Sequence, residues 1–331
     1  MNNKKYKTGV VVGKFYPPHK GHHYLINTAL KNTESLTVLV CAEKDQFISG
    51  ELRARWIKEI HPDANVLLID DDIREDKFPD DYSKAWADYT IKLLGYTPDV
   101  AFTSEEYGER WAKYMGCKHV LVDLKREAIP CSGTMIRANP LKYLDFLEAP
   151  VRAHFVKRIC IVGAESTGTT TMAKALAQHY QTNWVPEYGR EYSEAKMYRQ
   201  DANKWQTDEF MEIAREQCRR EDLFARTAHK VLICDTDAFA TGIWHERYVR
   251  FRSKEVEAIS KDRKYNLYLL TDIDIPFIQD GTRDGEHIRE WMHNTFITRL
   301  TKENKKFEIL SGNHEKRLAK AINLINSIIQ N

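Results

Sequence analysis

Gly163-Ala164-Glu165-Ser166-Thr167-Gly168-Thr169-Thr170-Thr171 is preceded by the apolar run Arg158-Ile159-Cys160-Ile161-Val162 and followed by Met172-Ala173-Lys174-Ala175-Leu176-Ala177. An apolar run rich in β-branched residues, a glycine-bounded turn and a helix-forming run predict, in that order, buried strand, tight loop and helix start. Such a loop cradles phosphate, because backbone N–H groups and the positive end of the helix dipole converge on one point. The pattern G-x-x-x-x-G-K-[ST] is met at Gly163, Gly168 and Thr170, but Thr169 stands where the lysine belongs. Thr170 is the expected hydroxyl ligand of Mg²⁺, and Glu165, Ser166, Thr167, Thr169 and Thr171 complete the expected nucleotide-binding loop. The lysine ordinarily neutralises charge on the β- and γ-phosphates. Its loss divides a loop that transfers phosphate from one that only holds it.

Downstream, Lys230-Val231-Leu232-Ile233-Cys234-Asp235-Thr236-Asp237 is an apolar strand ending in two carboxylates. An acid at that position meets Mg²⁺ at the sheet edge, so Asp235 is the second expected metal ligand. Asn183 to Tyr192 is expected to form a strand and turn dense in groups that can hold sugar or phosphate, Glu187, Tyr188 and Arg190 among them. Asn266 to Thr271 is a further strand, and Gln279-Asp280-Gly281-Thr282-Arg283 is an expected lid whose arginine can close over phosphates.

Bulk composition narrows the class. The 331 residues suffice for two domains, and 42% hydrophobic with 30% charged residues describes a soluble globular protein. A net charge of +2 gives no electrostatic case for nucleic acid or an anionic membrane. The six cysteines are scattered without a C-x-x-C pair, which favours buried thiols in a reducing cytoplasm over disulfides or zinc. No apolar run approaches membrane-spanning length.

Residues 1–155 alternate strand-like runs (8–12, 36–40, 66–69, 99–102 and 119–122) with helix-like stretches (21–31, 52–60 and 82–94). That alternation predicts βαβ units and a parallel sheet covered on both faces, with ligands at the carboxyl ends of the strands. The whole chain is therefore expected to be α/β, with two doubly wound parallel-sheet domains, residues 1–155 and 156–331. The boundary is placed after Asn139 to Pro150, read as a short helix closed by proline.

After the first strand comes Gly13-Lys14-Phe15-Tyr16-Pro17-Pro18-His19-Lys20-Gly21-His22. Two imidazoles at a helix mouth can donate to phosphate oxygens, and Gly21 lets backbone approach a ligand. Thr103 to Tyr107, with Ser104 and Glu105, is either ligand-facing or a helix cap formed by Ser104. Arg53 and Arg55 either reach triphosphate or lie on a helix surface, and Trp86 either stacks on a pyridinium ring or fills the core.

Gly13-Lys14-Phe15-x-Pro17-x-His19-x-Gly21-His22 resembles the signature of nucleotidyltransferases that release pyrophosphate. Their second motif, I-S-x-T-x-x-R, is matched by Cys131-Ser132-Gly133-Thr134-Met135-Ile136-Arg137, with cysteine for isoleucine. With the phosphate loop, E-Y-G-R, D-T-D and D-G-x-R in order, nearly the whole chain is similar to the bifunctional nicotinamide-nucleotide adenylyltransferase and ribosylnicotinamide kinase family of the NadR type. The resemblance implies adenylyl transfer from ATP to nicotinamide mononucleotide, giving NAD, and phosphorylation of nicotinamide riboside, both with Mg²⁺. Ser132, Thr134 and Arg137 would hold ATP phosphates beside His19 and His22. Glu187 or Asp235 would be the kinase base, Arg190 and Asp237 would bind ribose or phosphate, and Trp244 or Tyr248 would stack on nicotinamide. Lys174, Arg190 or Arg283 would replace the missing lysine charge. Family members that repress transcription carry an N-terminal helix-turn-helix; this chain opens on its first strand, so that role is not expected. A homo-oligomer is left open.

Overall fold

A computed structural model describes residues 4–70, 82–279 and 285–330. The chain divides into two compact units, Met1–Val151 and Arg152–Asn331. The first runs β1 (Tyr6–Gly13), α1 (Lys20–Asn32), β2 (Thr33–Ala42), α2 (Gly50–Ile60), β3 (Asn65–Asp70), α3 (Tyr82–Leu94), β4 (Val100–Thr103), α4 (Tyr107–Met115), β5 (Lys118–Leu121) and α5 (Gly133–Ala138). Its strands form one parallel sheet in the order β3-β2-β1-β4-β5. Side chains alternate across it: Val11, Val38 and Val40 pack on one face, Val10, Leu39 and Cys41 on the other. Burial on both faces is why these strands read as continuous apolar runs.

The division falls inside α6 (Ala149–Phe155), earlier than the sequence suggested. The helix expected to end at Pro150 is instead a short 3₁₀ turn at Leu144–Phe146, and Pro150 lies in the first turn of α6. Proline suits the first helical turn, where its missing N–H would have no intrahelical partner.

The second unit runs β6 (Lys157–Gly163), α7 (Thr169–Tyr180), β7 (Trp184–Val185), α8 (Tyr188–Lys196), α9 (Thr207–Ala225), β8 (Val231–Asp235), α10 (Ala238–Val249), α11 (Lys254–Ser260), β9 (Leu267–Thr271), α12 (Arg289–Lys302), β10 (Phe307–Leu310) and α13 (His314–Gln330). The sheet is again parallel, in the order β10-β9-β6-β8-β7. Cys160, Val162, Leu232 and Cys234 face one core and Ile159, Ile161 and Ile233 the other. In each sheet the first strand of the unit has neighbours from opposite winding directions, so the crevice for a ligand opens at the ends of β1 and β6. All six cysteines are free thiols. Among the described residues no helix is long and apolar enough to cross a membrane.

Candidate active sites

The end of β1 feeds a loop in which Phe15 takes a positive φ of 46° while its ring is buried. His19 precedes α1, and its ring stacks on His22 with centroids 3.7 Å apart. Gly21 leaves room for the His19 ring, since a Cβ would come within 3.1 Å of it. His22 lines a cavity of about 890 Å³ together with Gly13, Lys14, Phe15, Trp86, Ser104, Glu105, Ser132, Thr134 and Arg137. His19 is buried behind it. Burial, aided by the Arg126 charge, lowers the His19 pKa to about 4, and burial beside His19 and His23 holds His22 well below the ordinary histidine value. Both rings are therefore neutral at pH 7.

Ser132 caps α5 by accepting from Met135 N at 3.2 Å. Arg137, one turn on, donates to Tyr16 O at 2.5 Å and to Thr134 Oγ1 at 3.1 Å, and its guanidinium lies 4.7 Å from the Tyr16 ring centre. Gly133 makes this approach possible, since a Cβ would stand 2.7 Å from Tyr16 O. The two motifs thus meet over the edge of one sheet.

Two expectations change on inspection of neighbours. Arg53 does not face the cavity: its buried guanidinium donates to the carbonyls of Lys14, Cys41, Ile48 and Ser49 and to Gln46. The guanidinium ties the loop after β1, the end of β2 and the segment leading into α2 together. Ser104 lines the cavity and does not cap α4, whose N-cap is Glu106. Trp86 is 8% exposed in the core and also borders the cavity. Arg126, which no motif marked, also lines it, in a loop pinned where Asp123 accepts from Ala128 N and Ile129 N.

In the second unit a cavity of about 170 Å³ is lined by Gly163, Glu165, Ser166, Gly168, Thr169, Thr170, Thr171, Glu187, Arg190, Asp235 and Trp244. The loop turns through left-handed conformations at Ser166 (φ 59°) and Gly168 (φ 87°). Gly163 tolerates no side chain, because a Cβ would lie 2.1 Å from Thr271 Oγ1. Thr170 Oγ1 donates to Asp235 Oδ2 at 2.6 Å. This hydroxyl and carboxylate are hard oxygen donors that fit Mg²⁺, whose remaining ligands would be phosphate and water. Glu165 accepts from Arg247 Nη1 at 2.5 Å and from Gly285 N at 2.7 Å.

The segment expected as strand and turn contains only the two-residue β7, and Glu187 is the N-cap residue of α8. Burial and the neighbouring Asp235 and Glu165 charges push the Glu187 carboxyl above its ordinary value, against the pull of Arg190. Burial raises Asp235 likewise, opposed chiefly by its bond from Thr170.

Three expected contacts lie elsewhere. Asp237 is fully buried as the cap of α10, accepting from Ala240 N at 2.9 Å and from the Tyr268 hydroxyl at 2.7 Å. Tyr188 is not among the residues lining the cavity and carries the Arg220 guanidinium 4.4 Å over its ring. The Thr167 hydroxyl is spent within the loop, on Ala164 O at 2.7 Å, and meets Thr271 Oγ1 at the same distance. Of the proposed substitutes for lysine, Arg190 lines the cavity, Lys174 is exposed and lies over the Trp184 ring, and Arg283 falls outside the described residues. Trp205 and Phe210, which no sequence motif signalled and whose rings lie 5.2 Å apart, join Trp244 and Tyr248 in an aromatic wall.

Comparison with known proteins agrees with this division. A cytidylyltransferase-like family model matches residues 10–139, and an AAA domain model matches residues 158–317. The chain is 27% identical over 346 residues to the trifunctional NAD biosynthesis/regulator protein NadR of Escherichia coli, covering 98% of this chain and 84% of that protein. It is also 27% identical to the protein of that name from Salmonella typhimurium, over 97% of this chain and 83% of the relative. A crystal structure of NadR protein in complex with NAD and AMP-PNP superposes with a TM-score of 0.78 at 21% identity, over 98% of this chain and 97% of that one. A second, of NadR protein in complex with NR, gives the same TM-score and identity over 97% and 96%.

Proposed function

We propose that this chain, a NadR homologue in both of its units, transfers the adenylyl group of ATP to nicotinamide mononucleotide in the first unit, releasing pyrophosphate and NAD. The observation that carries this reading is the meeting of His22 and Arg137, from motifs far apart in sequence, on one cavity at the switch point of the sheet. The attacking phosphate of the mononucleotide is already ionised, so the reaction needs no general base. What it needs is alignment with the α-phosphorus and relief of charge as pyrophosphate departs. Arg137 and Arg126 supply positive charge, and the neutral His22 donates without adding a third cation to the cluster. Mg²⁺ would supply further neutralisation when bound with ATP.

The second unit, we propose, phosphorylates nicotinamide riboside. Its 5′-hydroxyl must lose a proton, and Glu187, at the cavity with a raised pKa, is the base. Asp235 is bonded to Thr170 and belongs to the Mg²⁺ side of the site. Arg190 takes over the charge of the absent loop lysine. One observation favours a second reading, a unit that binds nucleotide without transferring phosphate: Thr169 offers a hydroxyl where phosphoryl transfer uses a cation. A cytoplasmic location accords with the free thiols.

Incubation of the purified chain with ATP and Mg²⁺, in parallel on riboside and mononucleotide, tests both parts by chromatography. NAD from both substrates is expected. NAD from the mononucleotide alone would favour the binding-only second unit, and NAD from neither would overturn the proposal.

A further inference from the structure

We propose that Cys131 is a positioning residue for His19, its thiol donating S–H to Nδ1 and so keeping the ring proton on Nε2. The inference rests on the adenylyl-transfer reading of the first unit for its consequence, though not for its geometry. The Cys131 sulfur lies 3.3 Å from His19 Nδ1, with the two residues 3% and 5% exposed. The thiol's single hydrogen faces an imidazole nitrogen, a better acceptor than sulfur.

The protons can be counted. Burial holds the thiol in its protonated form and the ring in its neutral form, with Arg126, His22 and His23 as the charged or titratable neighbours that oppose ring protonation. One thiol proton and one ring proton therefore remain to be placed. With the thiol proton at Nδ1, the ring proton sits on Nε2. The ring is held in place by its stacking on His22, with centroids 3.7 Å apart, and by its burial. Phosphate oxygens only accept hydrogen bonds, so an imidazole cluster beside a polyphosphate works when its free nitrogens carry protons. The isoleucine found at this position in the resembled motif has no donor, so this device belongs to the present chain.

The test uses the full reduced chain with ¹⁵N-labelled histidine and two-bond ¹H–¹⁵N spectra at pH 7, the His19 signals being identified by their loss in His19→Gln. A single Nε2–H tautomer is expected in the natural chain and in Cys131→Ser, and averaging between tautomers in Cys131→Ala and Cys131→Ile. Adenylyl transfer should fall about five-fold in kcat in the Ala and Ile variants with KM within about two-fold, and the Ser variant should recover most of it. An Nε2–H tautomer that persists unchanged in Cys131→Ala overturns the proposal, whether or not the larger isoleucine folds. Should the natural chain make no NAD, the adenylyl-transfer reading fails, while the tautomer still decides what Cys131 does.

Discussion

The Thr170 hydroxyl donates to the Asp235 carboxylate across 2.6 Å, joining the first turn of α7 to the last residue of β8. The pair exists because β6 and β8 are adjacent and in a register that sets Ile161 beside Asp235. In the proposed kinase reading it forms the metal side of a phosphate site whose usual cation is missing one residue earlier, at Thr169. The first prediction follows from that gap.

Arg190→Ala should lower riboside phosphorylation by at least about a hundred-fold and leave adenylyl transfer from ATP to the mononucleotide unchanged. Adding Thr169→Lys to that variant should restore about ten-fold or more. Steady-state rates on each substrate measure both effects. If Arg190→Ala has no effect on riboside turnover, Arg190 is not the substitute cation.

Glu187→Gln should reduce kcat for riboside phosphorylation by about 10²- to 10³-fold with ATP affinity retained, because the amide cannot take the hydroxyl proton. Asp235→Asn should instead raise the Mg²⁺ concentration needed for activity. Titrating Mg²⁺ against both variants separates the roles, and identical Mg²⁺ profiles would refute the assignment.

In the first unit, His22→Ala should cut the turnover of adenylyl transfer by about a hundred-fold while changing ATP binding only a few-fold. Calorimetric binding alongside kinetics reads the split. Equal losses in binding and turnover would mean that His22 acts in the ground state.

Acid should weaken the first unit through its histidines. His23 Nδ1 and His61 Nε2 are 2.9 Å apart and buried, and burial beside His61 and His19 lowers His23 to about 3, as burial lowers His19 to about 4. The unfolded chain binds these protons near pH 6.5 and the folded chain does not, so stability is full above about pH 6.5 and falls as the pH drops toward the folded values. At pH 5 the loss is on the order of 2 kcal/mol for each of the two rings. Thermal unfolding of the full chain at stepped pH should show the transition of the first unit moving down between pH 6.5 and 5; a flat midpoint would contradict it.

Arg53→Ala should destabilise the first unit by about 2–4 kcal/mol, since four backbone carbonyls lose a buried charged donor at once. Its activity loss should follow unfolding, with the kinetics of the folded fraction nearly normal at low temperature. A large KM effect for ATP without any change in unfolding would return Arg53 to the substrate-contact role expected from the sequence.

Periodicity and motif order determined most of the architecture before any coordinates. Apolar, β-branched runs such as 36–40 and 159–162 read as strands buried on both faces, and glycines at 163 and 168 as the bounds of a tight loop, because local chemistry restricts local backbone. The same reasoning found Gly13, His22, Ser132, Thr134, Arg137, Thr170 and Asp235, whose spacing within a motif is a property of the chain. What a side chain touches is a property of its neighbours in space. Arg53 and Asp237 have the composition of ligand-binding residues, yet the fold surrounds each with backbone and hydroxyl partners that exhaust it. Arg126, Trp205 and Phe210 lack any motif and reach the cavities only because sheet order and helix packing bring distant segments together. The contact between Cys131 and His19, separated by more than a hundred residues, is of the same kind: sequence names both residues, and only tertiary structure sets sulfur beside nitrogen.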